Sequence, residues 1–299
     1  MVSAELLKKL TEYKIRYETE YSLKSSSTFR IGGQCRLAVF PKTADQLAKV
    51  VCMLDTEGMR THICGKGSNT LFADGLLKLA VVFTTSMDRV DISGTRLVCS
   101  AGTGLVSLSS LACNAGLSGL EFASGIPGSV GGAVFMNAGA YGSAMDNVVV
   151  ASQAYDRNSQ RVITVTEHDF GYRKSIYKSK AELVCLEAEL RLSEGSSEEI
   201  KAEMRRLTEE RRKKQPLEYP SAGSYFKRPE GDFAGRLIEV CGLKGARIGG
   251  ACVSEKHAGF IVNIGGASFD DVVRLEELVR ETVERQTGII LEREVEMIV

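Results

Sequence analysis

A glycine-rich stretch in the middle of the chain has the residue types of a phosphate-binding loop. Residues 124–142 read SGIPGSVGGAVFMNAGAYG, with six glycines, one proline and several interspersed apolar residues. Glycine allows positive φ angles and a close approach to the backbone, and successive backbone N–H groups can form a concave site for phosphate oxygens. The stretch predicts a backbone wall against a flat, phosphorylated ligand. A series of tight turns without a ligand is the alternative.

A second glycine-rich loop lies earlier in the chain. Residues 63–75 read ICGKGSNTLFADG and follow a short apolar strand. The spacing is neither that of a Walker A loop nor that of the Rossmann fingerprint, because no third glycine follows Gly67 at the required position. Ser68 and Asn69 add hydroxyl and amide donors beside the backbone, which suits a pyrophosphate. Two such loops predict a dinucleotide held between two lobes.

The two loops resemble the FAD-binding region of the UDP-N-acetylenolpyruvoylglucosamine reductase family. The similarity continues in the family's order through residues 28–33, 172–175, 222–227 and 291–295, so it covers nearly the whole chain. The resemblance implies an α+β fold: a two-lobed FAD-binding domain of the vanillyl-alcohol-oxidase/PCMH type, followed by a smaller α+β substrate-binding domain. It also implies non-covalently bound FAD and NADPH as the reductant.

The same resemblance assigns cofactor contacts to residues of both loops. These residues are mostly glycines and short polar side chains, which matches the backbone-rich site predicted above. In the first loop they are Gly65, Lys66, Gly67, Ser68, Asn69 and Thr70. In the second loop they are Gly125, Ile126, Pro127, Gly128, Gly131, Gly132, Ala133, Asn137 and Gly139.

Three further residues match the family's catalytic set: Arg173, Ser224 and Glu294. The family's reaction reduces an enolpyruvyl ether to a lactyl ether, with hydride passing from NADPH to the flavin and from flavin N5 to the terminal vinyl carbon. A carbanion then lies beside a carboxylate, as a doubly charged aci-carboxylate. Such a site needs hydrogen-bonding or cationic groups at the developing charge and a proton donor at the α-carbon.

Each of the three residues has a chemistry that fits its implied role. Ser224 matches the proton donor, since even a hydroxyl can protonate so basic a carbanion; Arg173 matches the arginine that holds the substrate carboxylate through its planar guanidinium. Alternation along a predicted last strand places Glu292, Glu294 and Glu296 on one face, and the family pattern alone selects Glu294. Protonated, Glu294 could hydrogen-bond the aci-carboxylate; ionised, it could orient a donor or water.

Four positions are substrate contacts by resemblance: Tyr141, Lys214, Lys227 and His257. Lys214 could meet a UDP phosphate, whereas a lone histidine before an apolar strand, like His257, is otherwise usually structural. Arg228 follows Lys227 where some relatives carry an asparagine, so the role of that amide does not transfer. The chain has no room before Ser224 for an inserted substrate-covering loop and resembles the shorter type of the family, which leaves open how the site closes.

The composition limits the classes of partner. The 299 residues carry 38 basic and 38 acidic side chains, for a net charge of zero, so no basic excess indicates nucleic acid. No apolar run reaches the roughly 18–20 residues of a membrane helix, and the N-terminus lacks the apolar core of a signal peptide. The eight cysteines stand singly and predict reduced thiols rather than a metal site. We expect a cytoplasmic monomer or weak oligomer that acts on a small molecule.

The hydrophobic periodicity and the turn signals predict three consecutive domains. Residues 1–75 form the first FAD-binding lobe with an N-terminal helix, and residues 76–195 form the second lobe with a hairpin before its last strand. Residues 196–299 form the substrate-binding domain, which ends in a strand predicted at 289–298.

Two other functions compete with the reductase. A flavin-dependent alcohol oxidase of the vanillyl-alcohol-oxidase class would share the cofactor fold, although substrate domains in that class tend to be larger. A non-catalytic nucleotide-binding module would need no set of arginine, serine and glutamate in register. The presence of Arg173, Ser224 and Glu294 together favours the reductase.

Overall fold

The computed structural model of the protein describes residues 2–299. None of the helices in that range has both the length and the hydropathy needed to cross a membrane. The α-helices of these residues are α1 (Ala4–Glu12), α2 (Ala44–Thr56), α3 (Leu105–Asn114), α4 (Val130–Met136), α5 (Ile176–Ser179), α6 (Ser197–Lys214), α7 (Ala234–Val240) and α8 (Phe269–Thr287).

Short strands alternate with these helices along the chain. They are β1 (Arg16–Ser22), β2 (Gln34–Phe40), β3 (Thr61–Cys64), β4 (Thr70–Phe72), β5 (Leu76–Phe83), β6 (Val90–Ser93), β7 (Arg96–Ser100), β8 (Leu117–Ser118), β9 (Gly139–Ala140), β10 (Ser143–Ala144), β11 (Val149–Asp156), β12 (Arg161–Val165), β13 (Leu183–Arg191), β14 (Ser193–Glu194), β15 (Arg247–Ile248), β16 (Ala251–Val253), β17 (Ile261–Asn263) and β18 (Glu296–Ile298).

The chain forms two compact units, each assembled from several segments. Unit 1 contains the chain up to Glu20, Arg36–Lys66 and Lys78–Glu210, and unit 2 contains Tyr21–Cys35, Gly67–Leu77 and Arg211–Val299. The division passes through the first glycine-rich loop, between Lys66 and Gly67. The predicted three-domain order stays a prediction, because a compact unit is not by itself a lobe of a cofactor-binding domain.

Unit 1 begins with a small sheet covered by two helices. The strand order is β1-β2-β5-β3, and β3 runs parallel to β5. Ser3 and Thr43 cap α1 and α2 by accepting hydrogen bonds from Leu6 N–H and Gln46 N–H, each at 3.1 Å. Such caps satisfy N–H groups that have no partner inside the helix. The apolar faces of both helices then pack on the sheet in one core.

A second, antiparallel sheet of unit 1 carries the rest of its core. Its strand order is β12-β11-β13-β7-β6, and β11 and β12 form the hairpin that the sequence predicts. Helices α3 and α4 lie in the same apolar cluster as β7 and β13. Because β13 also contributes Val184 and Leu186 to the first core, the two sheets of unit 1 share their packing.

Unit 2 is organised around its longest helix. Ser268 caps α8 in a capping box with Asp271, and Gly288 ends the helix in the left-handed conformation. The buried face of α8 packs with α7 and the antiparallel sheet β15-β16-β17 in a single apolar cluster. Separately, β18 pairs in parallel with β4, with Glu296 opposite Thr70.

One sequence-based expectation about secondary structure is wrong, and one helix was not predicted. The strand predicted at 289–298 is reduced to β18, because Arg293 pairs with Phe226 and the chain then bends before it reaches its second partner, β4. Glu292, Glu294 and Glu296 therefore do not share one strand face. The glycine-rich stretch 124–142 also contains a helix, α4, which the glycine content concealed.

Candidate active site

The two glycine-rich loops touch within unit 1. A Cβ atom on Gly65 would lie 2.1 Å from the Ser129 hydroxyl oxygen, so only glycine permits this approach. Ser129 is 2% exposed and caps α4, accepting a hydrogen bond from Gly132 N–H at 3.4 Å. The first loop therefore packs directly on the start of the only helix inside the second loop.

The start of α4 uses its first N–H groups within the unit. Val130 N–H donates to Thr103 C=O and Gly131 N–H donates to Ala101 C=O, both at 2.8 Å. A Cβ atom on Gly131 would also lie 2.8 Å from the Ala101 Cβ. These two N–H groups are therefore committed to the fold, contrary to a continuous backbone wall for phosphate. The assignment of Gly131 to the cofactor stays a prediction.

A buried serine at the beginning of the same loop fits a bound cofactor. Ser124 is 9% exposed, and its hydroxyl oxygen is buried with no hydrogen-bond partner among residues 2–299. A buried hydroxyl without a partner costs about 1–3 kcal/mol, which a ligand atom at this position would offset. Ser124 is absent from the contacts assigned by sequence. Its place directly before Gly125 was the only signal.

The part of the first loop that belongs to unit 2 is held by the segment around Thr28. Gly67 has φ +59°, and a Cβ atom there would lie 2.5 Å from Ser26 C=O. Thr28 N–H donates to Gly67 C=O at 3.2 Å, and the Thr28 hydroxyl donates to Ser221 C=O at 2.7 Å. Thr28 thus fixes the cofactor loop and the segment leading to Ser224 together.

Asn69 connects this loop to the segment of Glu294. Its side-chain amide donates to Glu294 C=O at 3.2 Å, and its own carbonyl accepts from Glu296 N–H at 2.9 Å. The sequence predicts this amide as a pyrophosphate donor, and the structure gives it a part in holding the chain at Glu294. Its contact with a cofactor stays a prediction.

Ser224 and Glu294 lie on two paired segments of unit 2. Glu294 N–H donates to Tyr225 C=O at 2.9 Å, and Lys227 N–H donates to Glu292 C=O at 2.8 Å. Both Ser224 and Glu294 are half-buried. Gly223, which precedes Ser224, has φ +79°. No atom of the described residues, apart from Gly223 and its two chain neighbours, lies within 4 Å of the position that a Cβ atom on Gly223 would take. The pairing places the segments of the predicted proton donor and its acidic partner side by side, with Glu294 opposite Tyr225, the residue after Ser224.

Arg173 lies at a tight turn in unit 1. Gly171 and Lys174 exchange backbone hydrogen bonds of 3.1 Å around it, and Arg173 has φ +54°. Its guanidinium donates to Gly139 C=O at 3.5 Å and lies 5.3 Å from the centre of the Tyr172 ring. The turn therefore places this side chain beside the end of the second glycine-rich loop.

The end of α4 anchors that turn. Asn137 is 4% exposed and left-handed, with φ +43°, and its side-chain amide donates to Gly171 C=O at 3.0 Å. Its side-chain oxygen accepts from Asp146 N–H at 3.0 Å. The Ser175 hydroxyl donates to Phe135 C=O at 2.7 Å, on the other side of the turn. Two side chains thus tie the Arg173 turn to the glycine-rich stretch.

A buried polar network supports the base of the turn. The Ser152 hydroxyl lies 2.8 Å from His168 Nε2 and 2.6 Å from the Tyr177 hydroxyl. His168 also stacks on Phe170, with ring centres 4.9 Å apart. Burial lowers the pKa of His168, opposed by a hydrogen bond to the Thr166 backbone. The imidazole is therefore neutral at neutral pH and shares a hydrogen bond with the Ser152 hydroxyl.

The predicted substrate contacts Tyr141 and Lys227 have partners within their own units. The Tyr141 hydroxyl donates to Leu207 C=O in α6 at 3.1 Å, although the residue is 42% exposed. The Lys227 ammonium lies 2.9 Å from the Glu292 carboxylate, and this hydrogen bond lowers the pKa of Glu292. Binding a substrate through Lys227 requires competition with that exposed ion pair, which is weak.

The other two predicted contacts differ in their surroundings. Lys214 lies exposed in the last turn of α6. His257 Nδ1 accepts from Gly259 N–H at 3.1 Å, which leaves the proton of the neutral ring on Nε2 as a donor. Burial lowers the pKa of His257, and its ring packs edge-on against Phe260. His257 is thus able to donate one hydrogen bond without carrying a charge.

The structure distributes the predicted residues over both units. Unit 1 holds Gly65, Lys66, the assigned residues of the second loop, Tyr141 and Arg173; unit 2 holds Gly67, Ser68, Asn69, Thr70, Lys214, Ser224, Lys227, His257 and Glu294. Within unit 1, Gly65 contacts the first cap of α4 at Ser129, and the Arg173 turn is bonded to its last cap at Asn137. Within unit 2 the first loop, Ser224 and Glu294 converge on the paired segments.

The fold and two regions of the sequence together define a flavoprotein. Residues 35–164 match the model of an FAD binding domain, and residues 215–298 match the model of the UDP-N-acetylenolpyruvoylglucosamine reductase C-terminal domain. The chain belongs to the UDP-N-acetylenolpyruvoylglucosamine reductase family. The family and FAD as the cofactor are therefore confirmed, the assigned contact residues stay predictions, and the partnerless hydroxyl of Ser124 fits such a cofactor.

Relatives from several bacteria support the assignment over the full length. The UDP-N-acetylenolpyruvoylglucosamine reductase of Caldanaerobacter subterraneus is 43% identical over 92% of this chain and 91% of its own. That of Caldicellulosiruptor bescii is 42% identical over 95% and 91%. The crystal structure of the Thermus caldophilus enzyme, at 33% identity, superposes with a TM-score of 0.80 over 95% of this chain and 98% of its own. The predicted fold class is confirmed.

Proposed function

We propose that the protein reduces UDP-N-acetylglucosamine enolpyruvate to UDP-N-acetylmuramate, with NADPH as reductant, in peptidoglycan precursor synthesis. The observation that carries the proposal is the pairing of the Ser224 segment with the Glu294 segment. An enzyme that protonates a carbanion next to a carboxylate needs a donor and an acidic partner held in fixed register. A module that only binds a nucleotide has no use for that arrangement.

Bound FAD would supply a hydride, with NADPH as its source, for the terminal vinyl carbon of the substrate. Ser224 then donates its hydroxyl proton to the α-carbon, which completes the new C–H bond, and the serine is reprotonated from solvent. Arg173 binds the substrate carboxylate as charge develops there, for which the guanidinium geometry is suited.

Glu294 completes the set as the acidic partner of Ser224. Its carboxyl group, when protonated, donates a hydrogen bond to the aci-carboxylate and, when ionised, orients a donor or a water molecule. The hydrogen bonds of its backbone to Tyr225 and Asn69 support a fixed position for either role. Non-covalent attachment of FAD, the use of one pocket in turn by NADPH and substrate, and a cytoplasmic location stay predictions.

The test is anaerobic visible spectroscopy of the purified holoenzyme. NADPH should bleach the flavin band, and the enolpyruvyl sugar nucleotide should restore it. In Ser224→Ala we expect bleaching at the wild-type rate and restoration slowed by about 10²-fold to 10⁴-fold, the range for a lost general acid. Ser110→Ala, which alters an exposed serine of α3, is the matched control.

Other outcomes distinguish the alternatives. Rapid restoration of the flavin band by oxygen with an alcohol substrate would favour the oxidase. A purified protein that takes up no FAD would favour the nucleotide-binding module. Restoration by the sugar nucleotide at an unchanged rate in Ser224→Ala would remove the serine from the reaction while leaving the reductase activity intact.

A further inference from the structure

A buried carboxylate lies behind the paired segments of Ser224 and Glu294 and is not used in the proposed chemistry. Glu276, on α8, is 3% exposed. Its neighbours on the buried face of the helix, Val272, Leu275 and Val279, are all fully buried apolar residues. A carboxylate in such surroundings is costly unless it is paired and hydrogen-bonded. Its presence therefore calls for a specific role.

The partners of Glu276 come from both paired segments. The Tyr225 hydroxyl donates to Glu276 Oε2 at 2.9 Å, and Arg293 Nη1 lies 3.3 and 3.4 Å from the two carboxylate oxygens. Arg280, one turn along α8, is at 4.0 Å. Burial and the neighbouring carboxylate both raise the pKa of Tyr225, which keeps its hydroxyl protonated as a donor.

The sequence positions of these partners are decisive. Tyr225 directly follows Ser224, and Arg293 directly precedes Glu294. Tyr225 is 1% exposed, and Arg293 is held further by donating from Nε to Val295 C=O at 3.0 Å. The Glu276 carboxylate therefore contacts Tyr225, the residue after the proton donor, and Arg293, the residue before its acidic partner.

We propose that Glu276 is a positioning residue for the protonation step, holding Ser224 and Glu294 in register through Tyr225 and Arg293. The backbone pairing alone fixes the distance between the two segments. Rotation of either segment about its own axis, which would turn the Ser224 hydroxyl or the Glu294 carboxyl out of place, is restrained by the side chains that reach α8. This inference rests on the proposed function, because it concerns the reaction in which Ser224 donates a proton.

The test compares the two half-reactions in holoenzyme variants. Tyr225→Phe removes only the hydroxyl and leaves the Glu276–Arg293 pair, and Glu276→Gln keeps an acceptor for Tyr225 but loses the charge that Arg293 needs. In both variants we expect restoration of the flavin band by the enolpyruvyl substrate to slow by about tenfold to 100-fold, as a misplacement near 1 Å does. Bleaching by NADPH should stay within about twofold of wild type.

A matched variant and a second measurement separate positioning from stability. Glu277→Gln changes the exposed neighbour on α8 and should leave both half-reactions and the melting temperature as in wild type. FAD affinity, measured by fluorescence titration, should be unchanged in all variants. If Glu276→Gln folds poorly, Tyr225→Phe remains decisive, because the phenylalanine ring fills nearly the same volume.

The outcomes are distinct from those for the reaction itself. If the wild-type flavin is not restored by the sugar nucleotide, the proposed function fails. If it is restored, and Tyr225→Phe and Glu276→Gln lower the melting temperature while both half-reactions keep wild-type rates, the network is only structural and the positioning role is overturned. Slowing of both half-reactions equally would also overturn it.

Discussion

At the residue scale, left-handed backbone conformations mark the Arg173 region. Eight non-glycine residues among residues 2–299 have a positive φ, and four of them belong to this region: Asn137, Tyr141, Asp169 and Arg173, with φ between 43° and 55°. Tyrosine and arginine gain nothing from this conformation, which costs roughly 1–2 kcal/mol for residues with a Cβ atom. Such residues persist where the surrounding contacts over-determine them, and functional sites are where they accumulate. The glycine content of the stretch gave no sign of them.

Asn137 allows the backbone and side-chain contributions to be separated. Asn137→Gly keeps a residue suited to positive φ but loses the hydrogen bonds to Gly171 and Asp146. Asn137→Ala loses these hydrogen bonds and is also poorly suited to positive φ. We expect the free energy of unfolding to fall by about 1–3 kcal/mol for glycine and by about 1 kcal/mol more for alanine. Urea unfolding at one pH measures both.

Asn158→Ala, in the exposed turn of the β11–β12 hairpin, is the control and should stay within about 0.5 kcal/mol of wild type. Equal destabilisation by glycine and alanine at position 137 would mean that the left-handed conformation there carries no free-energy cost for a residue with a Cβ atom. No effect of either variant would contradict the anchoring of the Arg173 turn by Asn137.

At the element scale, the sequence predicted the N-terminal helix and the β11–β12 hairpin but missed the pairing of distant segments. Caps at Ser3, Thr43 and Ser268 and the β11–β12 hairpin follow from local chemistry, which a sequence displays. The β4–β18 pair joins segments more than 200 residues apart, with Glu296 opposite Thr70, and no local pattern encodes such a partner. For the same reason, Glu276 looked like an ordinary helix residue.

The pairing of β18 with β4 yields a prediction about the cofactor. Removing residues 296–299 deletes none of the residues assigned to FAD, yet it takes away the partner of β4, whose Leu71 and Phe72 are fully buried. We expect FAD affinity to fall by about tenfold or more, because an unpaired buried strand leaves backbone groups unsatisfied and the loop before it loosens. Quenching of FAD fluorescence on titration with protein measures this.

Removal of Val299 alone, which is 58% exposed, is the matched truncation and should leave FAD affinity unchanged. Unchanged affinity after the longer truncation would mean that β4 and the loop before it keep their conformation without β18.

At the scale of the whole molecule, all three histidines have a pKa lowered by burial. The pKa of His62 falls to about 4, and those of His168 and His257 are lowered as well. Each is neutral in the folded chain at pH 7, so the balance of 38 basic and 38 acidic residues is not shifted by them. This common behaviour has a consequence for stability in mild acid.

We expect the free energy of unfolding to decrease as the pH falls below 6.5, the ordinary histidine value. The unfolded chain binds protons there that the folded chain does not, so stability rises with pH in this window and is lost on acidification. For each histidine, the free energy of unfolding changes by at most about 1.4 kcal/mol per pH unit. The three histidines together give at most about 4 kcal/mol per pH unit. Urea unfolding at pH 7.5, 6.5 and 5.5 measures it.

His168→Gln should reduce the pH dependence of the free energy of unfolding by up to the contribution of one histidine. The same change removes the hydrogen bond to Ser152 and should lower stability at every pH. A stability that does not change between pH 7.5 and 5.5 would contradict the burial of these side chains. The carboxylates with lowered pKa values, such as Asp232 at about 2, act only at lower pH and do not confuse the measurement.

Because unit 2 consists of three separate chain segments, its folding depends on the order in which the ribosome synthesises them. The segments Tyr21–Cys35 and Gly67–Leu77 must wait for Arg211–Val299 before their unit can form. At about 5–20 residues per second, the more than 200 residues between β4 and the end of β18 take about 10–45 s to synthesise. During that time half of the first glycine-rich loop has no partner. We therefore expect FAD to bind after the chain is complete, and a nascent chain stalled before β18 to bind FAD about tenfold or more weakly than the complete chain, like the truncated variant.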